Sequence, residues 1–376
     1  MAQVTSILRI RQNALSNKRA VPVFVVSLDA LGTLYQFREP VSVQYLNCAR
    51  QCGLKTRISP QDLEKSFRTT YTRYTQTYPN YGKGKLEGPR EWWAALINDT
   101  FVDATGSRVL PSHLGSGLYT HFSSATAYKP YVDSLSFIKS MRALREQYSD
   151  PEGPLVCVGV VTNSDPRVRS VLESMGFQVG LSEYAGREKA TLTKTDEGLP
   201  LIPPNLQPTS YDPDNDFDFL ATSYDAASEK PDGGIWTYAK DLVGTIPPAR
   251  ATRALNILRE PREYSMSDSM GQLVRQPLEA RLDLARVEAE RDRISAGQIR
   301  WVHIGDELKK DYLGAQNFGF EALHLRRQGE GGEGAYDPAG ASGVHTISNL
   351  NEAAMVVNAM ARSHFKANSA AGATNA

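Results

Sequence analysis

Four short apolar runs, each closed by a residue able to do chemistry, constrain this chain more than anything else in it. Val21 to Leu28 ends in Asp29, Leu155 to Val161 in Thr162, Phe217 to Thr222 leads on to Lys230, and Arg300 to Ile304 ends in Gly305-Asp306. Runs this short, and this rich in branched and aromatic side chains, read as parallel strands buried on both faces. In a parallel sheet their carboxyl ends share one edge, where α/β folds put their chemistry. Two acids, a hydroxyl and an ammonium then converge on one crevice. Neighbouring carboxylates repel, which raises a pKa or recruits a cation, and hard oxygen ligands favour Mg²⁺. A metal, a lysine and a hydroxyl suit a phosphate group, and a central carboxylate can act as nucleophile.

Between the first and second runs the pattern turns helical. Val41 to Gln51, Pro60 to Arg73 and Trp92 to Phe101 read as helices with no strong strand among them, and Asp133 to Gln147 as a further one. Tyr78-Pro79-Asn80-Tyr81-Gly82, Lys83, Lys85 and Trp92-Trp93 stand near the middle of this insert, where they could close over the crevice. At least one of the two tryptophans is expected in the insert's own core. Val168 to Met175, closed by Gly176, and Ile235 to Leu242 complete the helices around the later strands, with a strand from Phe320 to Leu325. Two stretches, about 183–216 and 245–298, read as insertions. The second contains Leu278 to Ile294, an amphipathic helix that fits a solvated face or a partner protein. Residues 363–376, rich in Ala, Ser, Asn and Gly, predict a disordered tail.

Composition narrows the function classes. Lysine plus arginine (42) equals aspartate plus glutamate (42), so no electrostatic footprint for nucleic acid or an anionic membrane exists. No apolar run is long enough to span a bilayer. Cys48, Cys52 and Cys157 form no disulfide framework, which predicts a reducing compartment, cytoplasmic and/or nuclear. Cys48 and Cys52 share a helix face without the further ligands of a metal site. The first 28 residues lack acids and carry Arg9, Arg11, Lys18 and Arg19; this fits an ordinary polar lead-in, or a mitochondrial presequence.

The four strand ends, in this order, resemble the haloacid dehalogenase-like superfamily. Its first motif is matched by Asp29-Ala30-Leu31-Gly32-Thr33-Leu34, its second by Thr162-Asn163, its third by Lys230 in Glu-Lys-Pro-Asp, and its fourth by Gly305-Asp306 with Asp311. The resemblance implies a Rossmann-like three-layer core at 1–38 and 125–350, with a central parallel sheet, and a helical cap of the C1 type at 39–124. It implies that Asp29 forms an aspartyl-phosphate and that Mg²⁺ is held by Asp29, the Leu31 carbonyl, Asp306 and Asp311. Thr162 and the Asn163 N–H would hold phosphate oxygens, Lys230 would neutralise charge, and Tyr81 and Trp92 of the cap would meet a small phosphorylated or halogenated substrate.

One position departs from the superfamily's phosphatases, which carry a second aspartate two residues after the nucleophile. Here that residue is Leu31, which supplies a carbonyl but neither gives nor takes a proton. General acid–base catalysis contributes roughly 10²–10⁴ in rate. Three readings follow: a slow or specialised phosphatase, a 2-haloacid dehalogenase, whose halide leaves unprotonated, or a non-catalytic binding protein of the same fold. Asp165 is the nearest substitute acid, but it reads first as an N-cap for the helix from Val168. Arg38 is the nearest arginine for the dehalogenase reading.

Overall fold

The computed structural model describes residues 22–149, 153–181, 214–257, 299–327 and 343–373. The basic lead-in, the bulk of both insertions and the helix read at Leu278 to Ile294 lie outside them.

The apolar runs do form one sheet. In chain order its strands are β1 (Val23–Leu28), β4 (Leu155–Thr162), β5 (Val179–Leu181), β6 (Phe217–Thr222), β7 (Ile299–Gly305), β8 (Glu321–Leu325) and β9 (Thr346–Ile347), arranged β5-β6-β4-β1-β7-β8-β9. Every pairing is parallel, and β1 sits between β4 and β7. Alternation along β1 explains the three layers. Phe24, Val26 and Leu28 join one core, and Val23 and Val25 the other. The first face is covered by α6 (Val132–Gln147), through Phe137, Ile138 and Met141, by α7 (Arg167–Ser174) and by α11 (Leu350–Ala373). The second is covered by α9 (Gly233–Ile257), through Ile235, Trp236, Ala239 and Val243. This is a Rossmann-like α/β core.

The insert is helical throughout its regular structure: α1 (Val41–Gln51), α2 (Pro60–Thr77), α4 (Pro89–Thr105) and α5 (Leu114–His121), with a short turn, α3 (Pro79–Gly82), between α2 and α4. Ser59 caps α2 by accepting a hydrogen bond from the Asp62 N–H at 3.1 Å. The cap keeps cores of its own, one around Tyr45, Phe101 and Leu118 and one around Tyr74, Trp92 and Leu96. The chain enters and leaves it through a two-stranded antiparallel ribbon, β2 (Tyr35–Phe37) with β3 (Tyr128–Pro130).

Two expectations change. α11 runs to Ala373, so the supposed disordered tail is helical over 363–373. Its Phe365 packs edge-on against Tyr148 and Phe24, which burial of an aromatic ring explains and composition hides. The helix read at Ile235 to Leu242 extends to Ile257, so the second insertion begins as a continuation of α9. Among the described residues no helix is long and apolar enough to cross a membrane.

Candidate active site

Parallel register brings the strand ends level. β1 and β7 align Leu28 with Ile304, and the Asp29 N–H, one residue on, donates to the Ile304 carbonyl at 2.9 Å. The hydroxyl of Thr162, at the end of β4, favours the ionised form of the Asp29 carboxylate. Gly305-Asp306 closes β7, and the π-helical turn Leu308–Leu313 that follows carries Asp311 back to the same edge. π-turns are rare and concentrate at functional sites.

Lys230 organises the centre. Its side chain is only 1% exposed, and its Nζ donates to Asp29 Oδ1 at 2.6 Å, Asp311 Oδ1 at 2.6 Å and the Val161 carbonyl at 2.8 Å. An ammonium has three N–H donors, so all are committed. The two carboxylates hold its pKa above the usual lysine range despite burial. Asn163 fixes the lysine's backbone: its Oδ1 accepts from the Lys230 N–H at 2.7 Å and its Nδ2 donates to the Lys230 carbonyl at 2.9 Å. The Asn163 side chain is therefore a clamp on Lys230.

Asp29, Asp306 and Asp311 each offer a carboxylate oxygen, and these lie within 4.8 Å of one another. Asp306 receives a hydrogen bond from Thr33 Oγ1 at 3.1 Å and, among the described residues, has no cationic partner. Burial, then repulsion from Asp29 and Asp311, pushes its carboxyl up to about 7. Burial likewise lifts Asp29 to about 6, with Lys230 opposing. Asp311 moves the other way, its ionised form held by Lys230 and His303, and its Oδ2 accepts the Glu307 N–H at 2.9 Å. Three acids facing one ammonium leave negative charge uncompensated, and a divalent cation fits that deficit.

The approach of Asp306 depends on a glycine. Gly32 has φ +90, and a Cβ there would lie 2.3 Å from Asp306 Oδ2. Gly32→Ala is expected to cost about 1–3 kcal/mol from the left-handed backbone alone. It should also drive Asp306 away. Urea unfolding checks the first effect and Mg²⁺ titration calorimetry the second.

Behind the acids runs a buried relay absent from the sequence reading. His303 sits beside Ser27 in register, its Nδ1 2.8 Å from Ser27 Oγ and its Nε2 3.3 Å from Asp311 Oδ1. Trp301 Nε1 donates to the same Ser27 hydroxyl at 2.8 Å. Burial lowers the histidine to about 4, so the ring is neutral. A lone histidine inside a strand carries no sequence signal for this role; only the register reveals it.

The cap lies over the crevice, and a cavity of about 360 Å³ remains between them. Leu31, 41% exposed, meets Thr162 and Asn163 on its core side. Tyr81 and Trp93 line its cap side. Trp92 does not: it is 1% exposed, its Nε1 donates to the Tyr78 carbonyl at 3.0 Å, and it belongs to the cap core. The expected substrate contact passes to its neighbour, because the helix turns the two rings to different faces. Trp93 Nε1 donates to Asp165 Oδ2 at 2.7 Å.

Asp165 departs from a simple cap as well. Its Oδ1 accepts the Arg167 N–H at 2.9 Å, but the carboxylate is gripped mainly by the Arg167 guanidinium, at 2.8 Å from Nη2 to Oδ2. That ion pair holds its carboxyl below the usual range, so it is ionised at neutral pH and cannot stand in as the missing acid. Neither Lys83 nor Lys85 is among the residues lining the cavity. Lys83 Nζ caps the carbonyls of Tyr224 and Asp225, and Lys85 Nζ that of Thr77. Arg38 is exposed and donates to the Ala125 carbonyl at 2.8 Å, at the cap's root, away from the cavity lining.

The chain is 32% identical over 180 residues to a zebrafish (Danio rerio) protein named haloacid dehalogenase-like hydrolase domain-containing protein 3, covering 48% of this chain and 69% of that relative. The chain belongs to the haloacid dehalogenase-like hydrolases. A Xenopus laevis protein of the same name is 32% identical over 228 residues, or 60% of this chain and 73% of its own. A fission yeast protein described as an uncharacterised hydrolase is 24% identical over 169 residues, 45% of this chain and 67% of its own. No protein-family model matches the chain. Among solved structures, a haloacid dehalogenase-type hydrolase of Bacillus subtilis bound to magnesium overlays 91% of this chain and 100% of its own, with TM-score 0.44 and 12% identity.

Proposed function

We propose that this chain is a magnesium-dependent phosphohydrolase that works through an aspartyl-phosphate on Asp29. The observation that carries the reading is the imbalance at the sheet edge: Asp29 and Asp311 share one ammonium while Asp306 has none among the described residues. The oxygens of Asp29, Asp306 and Asp311, with the Leu31 carbonyl, are the donors that would hold Mg²⁺, and the bound ion would supply positive charge for the phosphoryl oxygens. Asp29 is the nucleophile, its carboxylate fixed by Lys230. Thr162 and the Asn163 N–H, at the end of β4, are placed to take phosphoryl oxygens. Asp311 and neutral His303 behind it keep Lys230 aimed at Asp29. Leu31 contributes no proton transfer, so turnover of ordinary esters is slow. The dehalogenase reading would use the same Leu31, but Arg38 lies outside the cavity lining. A purely binding role leaves the buried Lys230–Asp29 pair without a purpose.

The test is phosphate release from a panel of phosphoesters with Mg²⁺ or with EDTA, and chloride release from 2-chloropropionate beside it. Phosphate release that EDTA abolishes supports the reading. In Asp306→Asn, Mg²⁺ affinity by calorimetry is expected to fall about 10–100-fold. Phosphate release indifferent to EDTA would sink the metal, and chloride release instead would establish the dehalogenase.

A further inference from the structure

The identity of the leaving group is written into what surrounds the phosphate end of the cavity. Leu31 occupies the position from which a proton would be given, and among the described residues lining the cavity none replaces it, Tyr35 being pushed upward by burial. Tyr45, Tyr71, Tyr81 and Tyr128 are all pushed upward by burial, which makes them poorer acids. Asp165 is already ionised against Arg167, and Arg167 is held protonated by that same partner. Every N–H of Lys230 is engaged.

The shape of the cavity adds a second, independent observation. Its volume of about 360 Å³ falls within the range of small-molecule sites. Beyond the Leu31 end, its walls are largely aromatic: Tyr45, Phe67, Tyr71, Tyr81, Trp93 and Tyr128. These rings pack in stacked, tilted and edge-to-face pairs, as Phe67 with Tyr71 at 5.6 Å, Tyr81 with Trp93 at 6.1 Å and Tyr45 with Phe67 at 5.5 Å. Such walls offer a flat ring the same face and edge contacts. Lys83 and Lys85, which would have favoured a sugar or a second phosphate, are turned onto backbone carbonyls.

We propose that the site prefers aryl phosphates, esters whose leaving group is a phenol-like oxygen on an aromatic ring seated in the cap cavity. This rests on the phosphohydrolase reading above. The carboxylate of Asp29 bonds to phosphorus as the bond from phosphorus to the aryl oxygen breaks. The electron pair departs on a phenolate, which the ring stabilises and which is protonated by bulk water after release. Water then attacks phosphorus, the bond to Asp29 breaks to restore its carboxylate, and the water's proton leaves with the phosphate. Without a base at Leu31 the second step is the slower one, so the phenol is released in a burst.

The experiment compares the wild-type chain with Leu31→Asp on ring-substituted phenyl phosphates, glycerol phosphate and acetyl phosphate, with Asp29→Asn as blank. Leu31 is exposed, so the variant is compatible with folding; Mg²⁺ calorimetry confirms it for each protein. In the wild type, kcat/KM is expected to rise steeply as the leaving phenol becomes more acidic, and phenyl phosphate to exceed glycerol phosphate by at least about 10²-fold. Leu31→Asp should raise glycerol phosphate turnover by roughly 10²–10⁴-fold, and flatten the dependence on the phenol. Acetyl phosphate, whose leaving group needs no proton but has no ring, should show a KM well above that of phenyl phosphate. Equal wild-type turnover of glycerol and phenyl phosphates, dependent on Asp29, would overturn the substrate class and leave the phosphohydrolase standing. A lower KM for acetyl phosphate would overturn the ring assignment. Silence on every ester, in Leu31→Asp too, would remove both.

Discussion

Asp29→Asn is expected to abolish turnover, by on the order of 10⁴-fold or more in kcat, without weakening the fold. The two halves have one cause. The amide keeps the shape of the side chain but cannot attack phosphorus. It also removes one of three crowded carboxylates, leaving Lys230 its partner in Asp311 at 2.6 Å. The repulsion that lifts Asp306 is relieved in part, since Asp29 is the larger of its two acidic neighbours. Urea unfolding should show stability equal to or above that of the wild type. Single-turnover assays with acid quench should find no phosphorylated protein. A variant that unfolds easily, or that still turns over, would show that Asp29 is a structural residue.

Lys230→Met is expected to do the opposite in stability, costing about 3–5 kcal/mol, because it leaves the partners of a buried ion pair uncompensated. Methionine fills the volume of the stem, so the effect is electrostatic in origin. Asp29 and Asp311 both lose their nearest positive charge, and the Val161 carbonyl loses its donor. Mg²⁺ should restore part of the loss, since a ligand bound only by the folded state adds about 2.7 kcal/mol at a hundred times its dissociation constant. The measurement is the urea midpoint with and without the ion. A midpoint unmoved by the substitution would mean that the lysine is replaceable by packing alone.

Strand ends made this site legible. Asp29, Thr162, Lys230 and Asp306 are read from the chain because each closes a run that parallel pairing places beside the others. The crevice between cap and core is harder to read, since it depends on which face of a helix a side chain takes. Trp92 and Trp93 are neighbours in sequence and separate in space. The helix α5 was hidden by Gly115 and Gly117, which discourage a helix in isolation. They are tolerated because a Cβ would meet Ala94 at 3.2 Å and the Cys52 sulfur at 2.8 Å, so the helices touch there. His303 and Ser27 found each other only through register, and α11 only through the burial of Phe365.

The short turn α3 has one more consequence. Asn80 and Tyr81 both hold left-handed backbone, with φ of 47 and 55, and Gly82 follows at 74. For residues with a Cβ that conformation costs roughly 1–2 kcal/mol each. The same segment grips the core, with Asn80 Nδ2 on the Ser223 carbonyl at 2.8 Å and Lys83 on its neighbours. The latch that shuts the crevice is thus cocked: undoing it surrenders hydrogen bonds but lets two backbone residues unwind. An opening of the cap at this turn would then cost less than the contacts alone imply.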